Sequence, residues 1–201
     1  MYSSFMYTRG IDIDKYSSSH ILKLVRPKKE YAKTTITWLI NPRVTKYLGE
    51  DFSKTTYENE VEHLEGISTD KDCFSWMIEL DGRIVGNVEI NQIKKKTKKY
   101  WAKSGSFCTL IGSEKDWCKG IGTISKKYAC NWAFRDGGFK FIEAKAYVQN
   151  DRSWVALEHS GFQYKNNENE IVNGQSVEWK VYLLSKHDWE LLEWSKDWYS
   201  L

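Results

Sequence analysis

The spacing of apolar and polar residues predicts a chain in which strands and helices alternate. Alternation at every second position predicts strands over residues 21–25, 74–80, 83–90, 104–112, 141–148 and 177–183. Helical spacing of apolar residues predicts helices over 28–40 and 54–66, from Ile124 to the Gly137-Gly138 pair, and from Asp151 to Gly161. The Asp81-Gly82 dipeptide is typical of a two-residue hairpin turn. This order predicts a mixed α/β sheet with helices packed on it.

Three segments can be distinguished along the chain. Residues 1–19 are polar and have no clear period, which predicts an N-terminal extension, either disordered or draped over the domain. Residues 20–185 contain the predicted strands and helices and are expected to form a single domain. Residues 186–201 form an amphipathic tail, and its apolar stripe is expected to pack on the domain or on a second subunit. That stripe consists of Trp189, Leu192 and Trp198.

Composition and charge narrow the range of function classes. The 201 residues include 30 basic and 27 acidic side chains, and the formal charge of +3 is too small to imply nucleic acid. The lysine run at 94–99 is therefore expected to be a solvated hairpin loop. The N-terminal residues lack the apolar run of a signal peptide, and no segment is long enough to span a bilayer, so a cytoplasmic protein without a membrane partner is expected. The four cysteines form no CxxC pair, which favours reduced thiols and no metal.

One segment has the features of an anion-binding turn. Residues 111–123 (IGSEKDWCKGIGT) predict a strand that passes through a Lys-Gly-Ile-Gly turn into a helix. Gly120 and Gly122 permit positive φ and leave backbone N–H groups accessible, and the helix start adds unpaired donors. We therefore expect a phosphate group there, although such turns also occur without a ligand. A P-loop and a dinucleotide fingerprint fit worse, since the latter needs a third glycine where Ser125 stands.

Several motifs in this chain resemble those of one enzyme family. Residues 117–122 (WCKGIG) resemble the acetyl-CoA pyrophosphate loop of the GCN5-related N-acetyltransferase (GNAT) family, in the Trp-Gly-Lys-Gly-x-Gly form of its ribosomal-protein alanine acetyltransferase (RimJ/RimL-like) branch. Only Cys118 departs from that form. Residues 150–162 (NDRSWVALEHSGF) resemble the branch's Asn-x-x-Ser-x-x-x-Leu-x-x-x-Gly-Phe signature, and 38–48 (WLINPRVTKYL) resemble a helix-ending segment. The resemblance covers about residues 21–189.

The resemblance implies a fold and a co-substrate. The implied fold is a GNAT-like splayed mixed β-sheet of about seven strands with helices on both faces. Acetyl-CoA would lie between the fourth and fifth strands, with its pantetheine bonded to the backbone near Leu110 and Ile111. The implied cofactor-binding residues are Leu110, Ile111, Trp117, Cys118, Lys119, Gly120, Ile121, Gly122, Thr123 and Asn150.

The implied reaction is acetylation of a primary amine by direct attack in a ternary complex. Since such an amine has a pKa of about 10, a base or a water relay must free its lone pair near pH 7. The resemblance places the Ser153 hydroxyl near the CoA sulfur as proton donor to the thiolate, and it puts Leu157 where many relatives have tyrosine. The glutamate that often serves as base aligns with Ser106. Glu89, Glu79 or ordered water is expected in its place.

The motifs leave the amine acceptor open. A protein N-terminus, an amino sugar with or without a linked nucleotide, a polyamine and an aminoglycoside are the candidates. Trp38, Trp76 and Trp101 are possible walls of an acceptor pocket, with core packing as the alternative. Because Ser106 lacks a carboxylate, a non-catalytic acyl-CoA-binding protein of the same fold is the rival hypothesis. Both a monomer and a homodimer fit the sequence.

Overall fold

The described residues form one eight-stranded mixed sheet. The computed structural model describes residues 11–17, 20–93 and 102–196. The strands lie in the order β1-β2-β3-β4-β5-β6-β8-β7; β5 and β6 pair in parallel, and the other neighbouring pairs are antiparallel. The strands are β1 Ile11–Ser17, β2 His20–Val25, β3 Cys73–Leu80, β4 Arg83–Ile93, β5 Ser104–Ile111, β6 Phe141–Tyr147, β7 Gln163–Val172 and β8 Gln175–Ser185.

Helices cover both faces of this sheet. They are α1 Ala32–Leu39, α2 Pro42–Thr45, α3 Tyr57–Thr69, α4 Ile121–Arg135, α5 Asp151–Glu158, α6 Lys186–Leu191 and α7 Glu193–Lys196. Trp76 and Ile78 of β3 pack in the larger core with α4, α5 and α6, whereas Met77 between them packs with α1, α2 and α3. Because successive strand side chains point to opposite faces, the two cores lie on opposite sides of the sheet. None of the described helices is long and apolar enough to cross a membrane.

The sheet divides between β5 and β6. The two strands pair over Ser104–Phe107 and Phe141–Ala144 and no further. Beyond Phe107, β5 remains paired with β4 as far as Ile111, and beyond Ala144, β6 remains paired with β8 as far as Tyr147. The two halves of the sheet therefore separate towards the carboxyl ends of these strands. The mixed, splayed sheet with helices on both faces confirms the predicted fold class.

Local chemistry explains where several elements begin. The Asp81-Gly82 turn joins β3 to β4 as predicted, with both residues at positive φ. Helix α3 begins at Tyr57, three residues later than predicted, because Thr56 and Asn59 form a reciprocal capping box. The predicted final strand is one member of a hairpin, and its partner β7 is the outer strand of the sheet with mostly exposed polar side chains.

The predicted N-terminal extension contains a strand, and the predicted C-terminal tail packs on the domain. Ile11–Ser17, inside the predicted extension, pairs with β2 and makes the sheet one strand larger than expected. In the tail, Trp189 is 2% exposed and its indole Nε1 donates to Asn131 Oδ1 at 2.6 Å, so this residue packs on the domain itself. Trp198, the lysine run at 94–99 and Trp101 lie outside the described residues.

Gly112 provides a test of how α1 supports the end of β5. A Cβ at this position would overlap the indole ring of Trp38, which is 5% exposed. We expect Gly112→Ala to destabilise the fold by about 1–3 kcal/mol, since overpacking forces side chains off their rotamers. In Gly66→Ala, the matched control within α3, the added Cβ meets no atom within 4 Å. The control is expected to gain about 0.5–1 kcal/mol in the free energy of unfolding by urea titration. Equal effects of the two substitutions would contradict this packing.

Candidate acyl-CoA site

The separation of β5 from β6 opens a cleft of about 870 Å³. One wall is the end of β5 with the following loop and the start of α4; the other is the end of β6 with α5. The segment 43–48 after α1 borders the cleft on the opposite face of the sheet from α4. All the cofactor-binding residues predicted from the sequence line this cleft: Leu110, Ile111, Trp117, Cys118, Lys119, Gly120, Ile121, Gly122, Thr123 and Asn150. Their contacts with a cofactor remain predictions.

The glycine turn at the mouth of the cleft has the geometry that an anion needs. Gly120 immediately precedes α4 with φ 78°, and Cys118 also has a positive φ of 59°. Helix α4 therefore begins with its first N–H groups unpaired within the helix and its positive dipole end at the cleft. A Cβ built on Gly122 would lie 3.7 Å from Ile111 and 3.8 Å from Thr109, in the gap between the helix start and β5.

An ion pair between a buried aspartate and a half-exposed arginine fixes this turn to the sheet. Asp116 is 3% exposed and accepts two hydrogen bonds from the Arg83 guanidinium, at 2.8 and 3.0 Å. The guanidinium lowers the pKa of the Asp116 carboxyl, so the pair stays charged at neutral pH. The Trp117 indole Nε1 donates to the Ile111 carbonyl of β5 at 2.8 Å, so this N–H is not available to a phosphate. The Arg152 guanidinium lies 3.8 Å from the centroid of the Trp117 ring and joins the turn to α5.

Asn150 and Ser153 lie on the opposite wall of the cleft. Asn150 occupies the N-cap position of α5, but its side chain makes no capping hydrogen bond; its backbone carbonyl accepts from the Ser153 and Trp154 N–H groups, at 2.9 and 3.3 Å. The Asn150 side chain therefore does not cap α5. Ser153 is half-buried and lines the cleft. Leu157, one turn further along α5, is 2% exposed and part of the core.

Neither of the two carboxylates predicted as base, Glu89 and Glu79, lines the cleft. Glu89 is half-buried and accepts from the Asn87 side chain at 2.8 Å; its partner across the β4–β5 ladder, Cys108, does line the cleft. Glu79 is paired with Lys23 in the β2–β3 ladder and does not line the cleft.

Glu60 of α3 is a buried carboxylate that the sequence did not indicate, and it is 5% exposed. Burial raises the pKa of this carboxyl and nearby Glu89 adds to the rise, although the Thr35 hydrogen bond and His63 oppose it.

Two of the three tryptophans predicted as possible walls of an acceptor pocket lie in the cores, and the third, Trp101, is outside the described residues. Trp38 and Trp76 are 5% and 0% exposed and pack in the two cores, so they do not form an acceptor wall. Tyr47, Tyr147 and Trp179 line the cleft instead, with centroid distances of 5.6 Å between the two tyrosine rings and 4.1 Å between Tyr147 and Trp179. Because these rings come from a loop and two strands, no local spacing indicated them.

Most of the chain matches the model of one protein family. Residues 22–163, more than half of the chain, match the model described as the acetyltransferase (GNAT) domain. The chain belongs to the GNAT acetyltransferase family. A search of curated protein sequences found no match.

Solved GNAT structures share the fold at low sequence identity. RimJ from Mycobacterium smegmatis, in complex with CoA-disulfide, is 17% identical with a TM-score of 0.72, over 86% of this chain and 85% of RimJ. The microcin C7 self-immunity acetyltransferase MccE, in complex with acetyl-CoA and AMP, is 19% identical with a TM-score of 0.70, over 86% and 99%. Spermidine N-acetyltransferase from Vibrio cholerae, in complex with CoA and spermine, is 17% identical with a TM-score of 0.71, over 86% and 98%. At these identities the similarity shows that the chain shares their fold.

The space beside Gly122 permits a graded test of the glycine turn. Because a Cβ there makes only ordinary contacts, Gly122→Ala is expected to fold and to bind acetyl-CoA nearly as the parent does. Gly122→Val adds two methyl groups to the gap at the helix start and is expected to weaken binding at least tenfold, about 1.4 kcal/mol. Calorimetric titration with acetyl-CoA measures both variants. Unchanged affinity in a folded valine variant would show that the phosphate lies elsewhere.

Proposed function

We propose that this GNAT protein is an N-acetyltransferase that moves the acetyl group of acetyl-CoA to a primary amine by direct attack in a ternary complex. The observation that carries the proposal is the cleft between the separated strands β5 and β6, which has an open helix terminus at one end. An extended ligand with an anionic end fits such a space. The phosphates would bind the turn, and the narrower arm would follow β5.

The residues around the cleft fit acetyl-CoA in three respects. The backbone from Cys118 to Thr123 supplies N–H donors for a pyrophosphate, and Gly122 leaves room beside them. The backbone of β5 near Leu110 and Ile111 would pair with the pantetheine amides, because this edge of β5 has no strand partner; the Ile111 carbonyl is excepted, since it already accepts from the Trp117 indole. The uncapped Asn150 side chain would donate to the arm from the opposite wall.

Two protons must move during the proposed reaction. The acceptor amine has to lose one proton before or during its attack on the thioester, and we assign this step to Glu89, directly or through ordered water. The leaving sulfur has to gain one, and we assign its donation to the Ser153 hydroxyl, which regains a proton from solvent. The acetyl-CoA supplies the activated acyl group, and the protein orients it and excludes water.

The acceptor side of the cleft favours a ring-bearing or cationic amine as the second substrate. Tyr47, Tyr147 and Trp179 offer faces for stacking or for cation–π contact. An amino sugar or nucleotide-linked amine is therefore proposed as an alternative to a protein N-terminus. The structure of MccE, crystallised with AMP, supports testing nucleotide-linked amines. The rival, a non-catalytic acyl-CoA-binding protein, rests on Ser106 in place of the usual glutamate.

An amine screen tests the proposed function. The protein is first titrated with acetyl-CoA by calorimetry, and thiol release is then followed with a polyamine, amino sugars, aminoglycosides, nucleotide-linked amines and peptide N-termini. The proposal expects saturable binding and acceptor-dependent thiol release. Binding without release from any amine would favour the non-catalytic rival, and absence of binding would overturn both.

Ser153→Ala tests the role of the hydroxyl. A proton donor to the thiolate acts mainly in the transition state, so we expect kcat to fall about 10- to 100-fold while acetyl-CoA affinity changes less than threefold. Steady-state kinetics with the amine found by the screen and calorimetry on the same protein separate these effects. Loss of affinity with intact turnover would reduce Ser153 to a binding residue.

Glu89→Gln tests the base and keeps the size of the side chain. If Glu89 removes the proton, the rate of the variant relative to the parent should fall by roughly 10² to 10⁴ near pH 7, and this difference should shrink at high pH, where the amine deprotonates unaided. Glu79→Gln is the matched control, since Glu79 lies in the same sheet away from the cleft. A flat pH-rate response to the Glu89 substitution would assign the step to water, and loss in the Glu79 variant alone would reverse the assignment.

A further inference from the structure

Lys126 is a buried lysine that lines the cleft. It lies in α4, five residues after the first helical residue Ile121, and its side chain is 4% exposed. Its ammonium lies 5.0 Å from the centroid of the Phe107 ring. Phe107 is the last residue of β5 that pairs with β6. The ammonium is therefore at the inner end of the cleft, where the two strands begin to separate.

No described residue accepts a hydrogen bond from this ammonium or forms an ion pair with it. Burial lowers the pKa of Lys126 to about 8. Desolvation raises the pKa of the neighbouring Cys130 and Cys108 thiols to about 12 and about 11, although Cys108 reaches the surface of the cleft, so both thiols are neutral when Lys126 is charged. At pH 7 Lys126 is thus largely protonated, and no described carboxylate contacts its ammonium. An unpaired buried charge is destabilising, and a negative group supplied by a ligand would relieve that cost.

The positions of the turn and of Lys126 set the direction of a ligand in the cleft. Gly122 lies beside Thr109 and Ile111, near the end of β5, whereas Lys126 lies beside Phe107. With a rise of 1.5 Å per residue, Lys126 is about 7–8 Å further along α4 than Ile121. A CoA molecule with its pyrophosphate on the turn would therefore extend its arm inward along β5, and its sulfur end would approach Lys126.

We propose that the Lys126 ammonium stabilises the thiolate of CoA as it leaves, a role that rests on the function proposed above. In that step the amine nitrogen bonds to the carbonyl carbon, and the carbon–sulfur bond breaks with its electron pair on sulfur. The positive charge of Lys126 compensates the new negative charge, while Ser153 donates the proton that yields the CoA thiol. Lys126 remains protonated throughout. Acetyl-CoA is neutral at sulfur, so this interaction forms only as the bond breaks, which lowers the barrier.

Lys126→Met tests this role because it keeps the length of the side chain and removes the charge. We expect kcat to fall at least tenfold, with KM for acetyl-CoA changed less than threefold. The parent rate should also fall as Lys126 deprotonates above about pH 8, and this alkaline limb should be absent from the variant. Lys126→Arg, which keeps the charge, should recover part of kcat. The methionine variant should be at least as stable as the parent, since it removes a buried charge.

Lys127→Met is the matched control on the same helix. The Lys127 ammonium lies 5.3 Å from the centroid of the Trp194 ring, and the residue does not line the cleft. Burial lowers its pKa as well, so the control separates a general loss of a desolvated lysine from loss of the charge in the cleft. Its kcat and pH profile are expected to match those of the parent.

A second readout needs no amine acceptor. The ultraviolet absorbance of the CoA thiolate is titrated with pH in the presence of each protein, and the thiol pKa of bound CoA should be lower with the parent and with Lys127→Met than with Lys126→Met. Equal thiol pKa values would overturn the proposal. Turnover with succinyl-CoA and with acetyl-CoA is also compared. A parent that prefers succinyl-CoA, with this preference absent from Lys126→Met, would overturn the proposal as well, because Lys126 would then bind the carboxylate of the acyl group. A parent that binds no CoA would instead refute the proposed function itself.

Discussion

The interruption of pairing between β5 and β6 is the constraint on which the site depends. A buried strand must satisfy its backbone N–H and C=O groups, yet β5 loses its partner after Phe107 while continuing to Ile111. The sheet tolerates this because β4 and β8 hold the two halves from outside. A ligand with peptide-like amides would complete the pairing, so the same gap that weakens the sheet defines the shape of its occupant.

This gap also connects the two faces of the sheet. The glycine turn and Lys126 belong to the face covered by α4, whereas Tyr47 follows the helices of the other face. In the proposed reaction, acetyl-CoA and its acceptor amine would therefore approach the cleft from opposite faces of the sheet. The ion pair of Arg83 with the buried Asp116 keeps the turn at the mouth of the gap.

Sequence patterns predicted the features that local chemistry determines. The Asp81-Gly82 hairpin and the turn at Gly120 were predictable because each needs positive φ at defined positions. Burial depends on the whole fold, so the helical spacing of apolar residues did not indicate that Lys126 and Glu60 are buried. For the same reason Trp38 was open to two interpretations until its packing was known. Strand β1 was missed because its pairing with β2, rather than its own periodicity, makes it a strand.

The outer hairpin has a consequence for the behaviour of the protein at high concentration. Strand β7 leaves one row of peptide groups without a neighbour in the described sheet, and such an edge can recruit a strand from another molecule. Its sequence, QYKNNENEIV, places amides and charges along nearly the whole length, and Lys145 binds both Glu168 and Glu170 at 2.7 Å. Adding a strand here would require these side chains to shed water, so this edge is protected against aggregation.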